Sequence, residues 1–321
     1  MIYLPHMITI RRLAAASFVL ALSYANRAEA QPVRPLPSAD VYARDAIWAG
    51  VTHVFHLAAR TRAPRAAALI EANVQFTERL AQAACAQAAV PRFVFVSSLA
   101  AMGPAPNADT PVTPQQEPCP VEAYGASKRA AEQLLQGMAA LPLVIVRPAA
   151  VYGAHDRDLL AVFRQVRHPL QLRPTPGWYR FTLNSVHDVV DALVAAATVP
   201  AAYAASARAG YLLSGEDVSW DALYQRIDRA VATARGVGMR HAPSVRVPAP
   251  LLALAGRVGA KWGEWTGRTP LATPDKIVLG AQAGWTCRDD RFLREAGWAP
   301  RVPLDAGLLE VARWYRAQGW I

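Results

Sequence analysis

Tyr124 and Lys128 stand four residues apart in Val121-Glu122-Ala123-Tyr124-Gly125-Ala126-Ser127-Lys128. On a helix that spacing puts a phenol and an ammonium on one face, one turn apart. A Tyr hydroxyl ordinarily titrates near ~10, too high for a base at neutral pH. A neighbouring ammonium favours the phenolate. The pair is therefore expected to bring Tyr124 into a range where it exchanges protons with an alcohol or a carbonyl oxygen. The bland alternative is an amphipathic helix with one exposed Lys and one half-buried Tyr. Tyr-x-x-x-Lys also arises by chance, so the surrounding elements decide.

Three apolar runs must position the pair. They are Val51 to Leu57, Arg92 to Val96, and Leu143 to Val146. Each is short, rich in β-branched or aromatic residues, and closed by small or turn residues: Ala58-Ala59, Ser97-Ser98 and Arg147-Pro148. Helical stretches lie between them, Ala63 to Ala89 and Tyr124 to Ala140. Strands alternating with helices of this length predict βαβ units and a parallel sheet covered on both faces. Ligands of such sheets bind beyond the carboxyl ends of the strands. Three strand ends and one helix face therefore converge on one crevice.

With these pieces in order, the chain resembles the extended short-chain dehydrogenase/reductases, the NAD-dependent epimerase/dehydratase family. The resemblance rests on His56-Leu57-Ala58-Ala59, Asn73, Ser97-Ser98 with Gly103 five residues on, and Glu117. It continues through Tyr124-Gly-Ala-Ser-Lys128, Arg147-Pro148-Ala-Ala-Val151-Tyr152-Gly153, and Val186-His187-Asp188-Val189. It runs from about residue 40 to the C-terminus. It implies an α/β fold: a Rossmann-like doubly wound parallel sheet, its first βα unit incomplete, with a smaller C-terminal α/β substrate lobe. It implies NAD or NADP as cofactor and hydride transfer at a secondary alcohol or ketone. Ser98, Tyr124 and Lys128 would be catalytic: Ser98 bonds the substrate oxygen, Tyr124 is the acid/base, and Lys128 holds the nicotinamide ribose. Leu57, Ala58, Ala59, Asn73, Ser97, Pro148 and Val151, with Tyr124 and Lys128, would line the cofactor. The substrate would be a small alcohol or ketone, or a nucleotide-sugar in an epimerase or dehydratase. The C-terminal lobe leans toward the 3β-hydroxysteroid dehydrogenase and dihydroflavonol reductase branch.

The N-terminal segment departs from that pattern. Gly50 is the first glycine in the chain. The glycine-rich turn that brings backbone N–H groups to a pyrophosphate has no counterpart before Val51. Arg11 to Ala16 resembles the family's first helix, Val33 to Leu36 the end of its second strand, and Met7 to Ile10 a remnant of the first. A competing reading takes Arg11-Arg12, the apolar run Leu13 to Ala25 and Ala28-Glu29-Ala30 as an export signal. A degenerate, non-catalytic member that cannot hold dinucleotide is a third expectation.

The chain has 321 residues, 53% of them hydrophobic, and a net charge of +10. That length and composition suit one large domain and a smaller lobe. The expected division is residues 1–40 as the atypical segment, 41–155 as the cofactor and catalytic domain, and 156–321 as mainly the substrate lobe. The positive charge is scattered Arg without a basic run, which points away from nucleic acid and toward a basic surface. Cys85, Cys119 and Cys287 lack metal-ligand spacing and make no disulfide framework. A reduced, cytoplasmic protein without metal or membrane partner is expected, with export as the alternative, and a homodimer is expected from the family. Residues 155–177 read as a loop region, Pro248 to Trp265 as an apolar helix, and Pro303 to Tyr315 as the final amphipathic helix.

Overall fold

The computed structural model describes residues 17–21 (as backbone), 48–61, 63, 66–107, 109–174, 179–239, 243–247, 282 and 284–321. Strand β1, Ser17–Ala21, lies beside β2, Val51–His56. Helix α1, Ala66–Ile70, passes through a π-helical turn, Glu71–Gln75, into α2, Phe76–Cys85. Next come β3, Arg92–Val96, helix α3, Ala123–Gly137, β4, Leu143–Arg147, and β5, Ala150–Tyr152. Then follow α4, Arg157–Gln165, β6, Gln171–Pro174, β7, Arg180–Ser185, and α5, Val186–Ala197. Helix α6, Ala204–Ala209, leads to β8, Tyr211–Leu212, β9, Glu216–Ser219, and α7, Trp220–Arg235. Strands β10, Ser244–Val247, and β11, Gly284–Trp285, and helices α8, Arg291–Ala296, and α9, Leu304–Ala317, complete the described chain.

The main sheet runs β1-β2-β3-β4-β8, parallel throughout. Its strands are apolar on both faces because both faces are covered. Phe93 and Phe95 pack into one core cluster with Leu80, Ala81, Ala131 and Leu135 of α2 and α3. Val94, between them, faces the opposite cluster with Val189, Ala192 and Leu193 of α5. Val144 and Val146 alternate with Leu143 and Ile145 in the same way. Full burial of each such side chain contributes roughly 1.5–3 kcal/mol. A third core joins α4, α7, α9 and the β7 sheet, with Phe163, Ile227, Leu308 and Tyr315 fully enclosed. Trp298 lies in the second cluster, while Trp314 and Trp320 pack on the third, so these aromatics are core material.

The fold is the expected α/β architecture, and the three predicted strands fall where the apolar runs stand. Four readings change. The helix expected from Ala63 to Ala89 is interrupted by the π turn at Glu71–Gln75. The region read as a loop after His155 contains α4 and β6, because Leu160, Phe163 and Val166 form an apolar stripe that packs on α7 and α9. Ser17–Ala21, inside the apolar run Leu13 to Ala25, is a strand in parallel register with Val51–His56. Lys128 is buried, not an exposed helix residue. The readings at Met7–Ile10, Arg11–Ala16, Val33–Leu36 and Pro248–Trp265 lie outside the described residues. Among the described residues, no single helix is long and apolar enough to cross a membrane.

Candidate active site

Helix α3 begins where Glu122 caps it. The Glu122 carboxylate accepts from the Tyr124 and Gly125 backbone N–H groups at 3.0 and 2.7 Å. A carboxylate at a helix N-terminus satisfies orphan donors and favours the dipole. Gly125 then lets the helix lie against the turn after β3. A Cβ there would sit 2.3 Å from the Ala100 carbonyl oxygen. That turn, Leu99–Ala101, is capped by Ser98, whose hydroxyl accepts from Ala100 N at 3.1 Å. The close approach brings the Ser98 hydroxyl near enough to the Tyr124 phenol to lower its pKa. One turn further along α3, Lys128 Nζ donates to the Val96 carbonyl at 2.8 Å and lies 4.7 Å from the centre of the Phe95 ring. Ser98, Tyr124 and Lys128 thus stand together at the carboxyl end of β3.

Their electrostatics reverse one expectation. Burial raises Tyr124 to about 12; the Ser98 hydroxyl draws it back in part, and the Glu122 carboxylate pushes it up further. Lys128 is not among the influences on the phenol: its ammonium is directed to the Val96 carbonyl. The chain alone therefore holds Tyr124 protonated at neutral pH and does not acidify it. Lys128 is drawn down to about 7 by burial, with the Glu132 carboxylate opposing that fall.

Asn73 joins three elements. From the π turn, its Oδ1 accepts from Arg60 N at 2.7 Å, and its Nδ2 donates to Arg60 O at 2.9 Å and to Ser127 Oγ at 2.8 Å. Ser127 passes its own proton to the Tyr124 carbonyl at 2.7 Å. Asn73 is buried, and its polar atoms all face protein. His56 sits beneath this network. Thr77 Oγ1 gives its proton to Asn73 O at 2.8 Å, so the 2.7 Å contact to His56 Nε2 requires the proton on Nε2. Nδ1 is left as a bare acceptor. Burial, then the Lys128 charge, lowers His56 to about 3, which makes it a neutral core residue.

The remaining predicted positions follow the carboxyl ends of β2 and β4. Leu57, Ala58 and Ala59 are half-buried at the end of β2, just before the Arg60 backbone that Asn73 grips. Pro148 is buried and its carbonyl accepts from Leu99 N at 2.8 Å, tying the end of β4 to the turn after Ser98. Val151, two residues into the space beyond Ala149, is 42% exposed. Sequence reasoning missed Asn184. Its Oδ1 accepts from Ala149 N at 2.8 Å and its Nδ2 reaches the Leu213 and Ser214 carbonyls, so it fixes the backbone between Pro148 and Val151. A lone Asn in β7 carries no spacing signal that could have revealed this. Arg164 and Arg167 line a cleft of about 300 Å³ with His168 and Trp320. None of the predicted catalytic residues lines that cleft.

The residues present fit the nicotinamide-ribose end of a dinucleotide. Ser97 Oγ is buried at the end of β3 with no hydrogen-bond partner among the described residues, and a buried orphan hydroxyl is what a polar ligand group satisfies. Ala58 and Ala59 offer small side chains, and Lys128 and Tyr124 supply donors. At the pyrophosphate end the match is poorer. β1 occupies the sheet position next to β2, yet no glycine follows it before Gly50.

Comparison with known proteins agrees with this geometry. The model of the NAD dependent epimerase/dehydratase family matches residues 19–207. Ceramide reductase of Caulobacter vibrioides is 31% identical over 247 residues, covering 75% of this chain and 67% of that protein. The structure of RMD from Pseudomonas aeruginosa, complexed with NADPH, superposes with a TM-score of 0.68 at 18% identity, over 98% of this chain and 95% of that one. UDP-glucose 4-epimerase from Thermotoga maritima, with UDP-glucose, gives 0.65 at 18% identity, over 88% and 82%.

Proposed function

Since this chain belongs to the NAD dependent epimerase/dehydratase family, we propose that it is a ketone reductase in which Tyr124 is the proton donor. A nicotinamide cofactor, when bound, supplies the hydride. The carrying observation is the close approach of α3 to the turn capped by Ser98, which sets the Ser98 hydroxyl beside a phenol kept protonated by burial. A protonated phenol beside a second hydroxyl suits reduction: Ser98 orients and polarises the carbonyl oxygen, and Tyr124 delivers the proton to it as negative charge develops. Lys128 holds the ribose and keeps positive charge near the site. Ser97, Pro148 and Val151 complete the wall, and Leu57 to Ala59 leave room along it. The reductase named among the relatives, and the exposed apolar Val151 at the rim, favour a ketone carried on an apolar chain over a nucleotide-sugar.

The test has two steps. Purified protein is titrated with NADH and NADPH while nicotinamide fluorescence is followed; saturable binding of at least one is expected, and none at millimolar concentration rejects the enzyme reading in favour of a non-catalytic member. Oxidation of the reduced cofactor is then followed with long-chain 3-keto lipids, and UDP-glucose is incubated separately with oxidised cofactor while its epimer is followed directly, because epimerisation leaves no net change in the cofactor. Turnover of the ketones supports the proposal, and epimerisation of the sugar without ketone reduction overturns it.

A further inference from the structure

Glu132 stands one turn beyond Lys128 on α3 and is fully buried. Arg147, the last residue of β4, meets it as a fork: Nε to Oε1 at 2.7 Å and Nη2 to Oε2 at 2.9 Å. Arg129 adds a contact from the partly exposed side, Nη1 to Oε2 at 3.1 Å. Arg147 is itself held. Nη2 also donates to the Ala209 carbonyl at 2.9 Å. Gly210, at φ +97°, keeps the space beside the guanidinium free; a Cβ there would lie 2.7 Å from Nη1. A buried ion pair contributes little net stability over well-packed apolar residues. Stability alone is a weak reason for this one, and its position suggests another.

We propose that Glu132, oriented by Arg147, is a positioning residue: the fixed counter-ion through which Lys128 is held as an ammonium beneath the site. This rests on the reductase reading only for its link to turnover. Glu132 is one helical turn from Lys128, and Arg147 adjoins Pro148, whose carbonyl binds Leu99 N next to Ser98. The pair therefore locks the register of α3 to the end of β4, the two elements that carry Lys128 and the wall of the crevice. The groups that face Lys128 are few in kind. Tyr124 and Glu132 share its helix, β3 offers the Val96 carbonyl and the Phe95 face, β2 places neutral His56 nearby, and Arg147 of β4 stands behind Glu132. Burial pulls the Lys128 ammonium down to about 7, and the Glu132 carboxylate is the opposing influence.

The lysines of this chain are Lys128, Lys261 and Lys276, so a ¹³Cε-lysine spectrum resolves Lys128 readily. Its titration midpoint is measured in the intact protein, in Glu132→Gln, and in Glu132→Gln/Arg147→Met, which leaves no lone guanidinium buried. The midpoint is expected to fall by on the order of one pH unit in Glu132→Gln, as for loss of a close opposite charge, and by less in the double variant, where the Arg147 charge is lost as well. The limb of the kcat/KM profile that reports Lys128 should move with it while the KM for ketone stays within twofold. An unchanged midpoint in a folded variant overturns the proposal, and so does a shifted midpoint with an unmoved profile. The spectrum needs no turnover, so an inactive parent protein counts against the reductase reading alone.

Discussion

The Ser98 hydroxyl lowers the pKa of the Tyr124 phenol although one residue follows a strand and the other begins a helix. Ser98 is fixed by its own cap, its oxygen accepting from Ala100 N at 3.1 Å, and Tyr124 by the Glu122 cap at the start of α3. The phenol is therefore oriented before any substrate arrives, and orientation is most of what a proton donor requires. Tyr124→Phe removes the transferable proton and keeps the ring. Turnover should fall about a hundredfold to ten-thousandfold, with the dissociation constant for reduced cofactor unchanged within a few-fold. Steady-state kinetics and a fluorescence titration on the same preparation check both halves. Retained turnover removes Tyr124 from the mechanism.

Gly125 is the second lever on this contact. The clash of its would-be Cβ is with backbone, the Ala100 carbonyl, at 2.3 Å, so no side chain can swing aside. Gly125→Ala should force α3 away from the Leu99–Ala101 turn, costing about 1–3 kcal/mol as an overpacking change. It should also separate Tyr124 from Ser98, so kcat falls further than a stability loss alone explains. Thermal unfolding and kcat measured well below the melting temperature separate the two effects. Full activity in the Ala variant would mean the close approach does not set the geometry.

Asn73→Ala opens the joint between the π turn, Arg60 and α3. It strands the half-buried Arg60 N–H and leaves the buried Ser127 Oγ without its donor. Each buried group left unpaired costs about 1–3 kcal/mol. Denaturant unfolding should report a loss in that range, and amide exchange at Arg60 should quicken by at least tenfold, while α7 and α9 keep their protection. A uniform rise in exchange across the chain would show that Asn73 supports global stability only.

The legible parts of this molecule are those whose signal is local. Arg92 to Val96 reads as a buried strand because five consecutive residues suit a two-sided core, and α3 is marked by its capping carboxylate and its Tyr/Lys face. The π turn was not legible: the apolar pattern of a helix runs through Leu69, Ala72 and Phe76, and the bonds from Asn73 within the turn reach Arg60, thirteen positions away. Glu132 and Arg147 meet across fifteen positions on different elements, and Asn184 meets Ala149 across thirty-five. Helix α4 was hidden among the Pro and Arg residues around it, though Leu160, Phe163 and Val166 carry its stripe. The direction of the Tyr124 shift failed for a related reason. Spacing places an ammonium near a phenol, but the fold decides how deeply the hydroxyl is enclosed and where the ammonium points; here burial raises the phenol while Lys128 is directed to the Val96 carbonyl.

His56 makes the same enclosure measurable as a dependence of stability on pH. Folded, it titrates at about 3, against 6.5 for an unperturbed His. Between those values the unfolded chain binds a proton that the folded chain does not, so unfolding becomes easier as pH falls through that window. The slope contributed by one such group is at most about 1.4 kcal/mol per pH unit. His56→Gln retains a donor for Thr77 Oγ1 and cannot titrate. Urea unfolding from pH 6.5 downward, to the lowest pH at which the fold persists, should show a shallower acid-side slope in this variant than in the parent. Lys128 gains or loses its proton near 7, above that window, so it does not confound the comparison. Equal slopes in the two proteins would mean that His56 accepts its proton in the folded state, through a bare Nδ1 that water can reach.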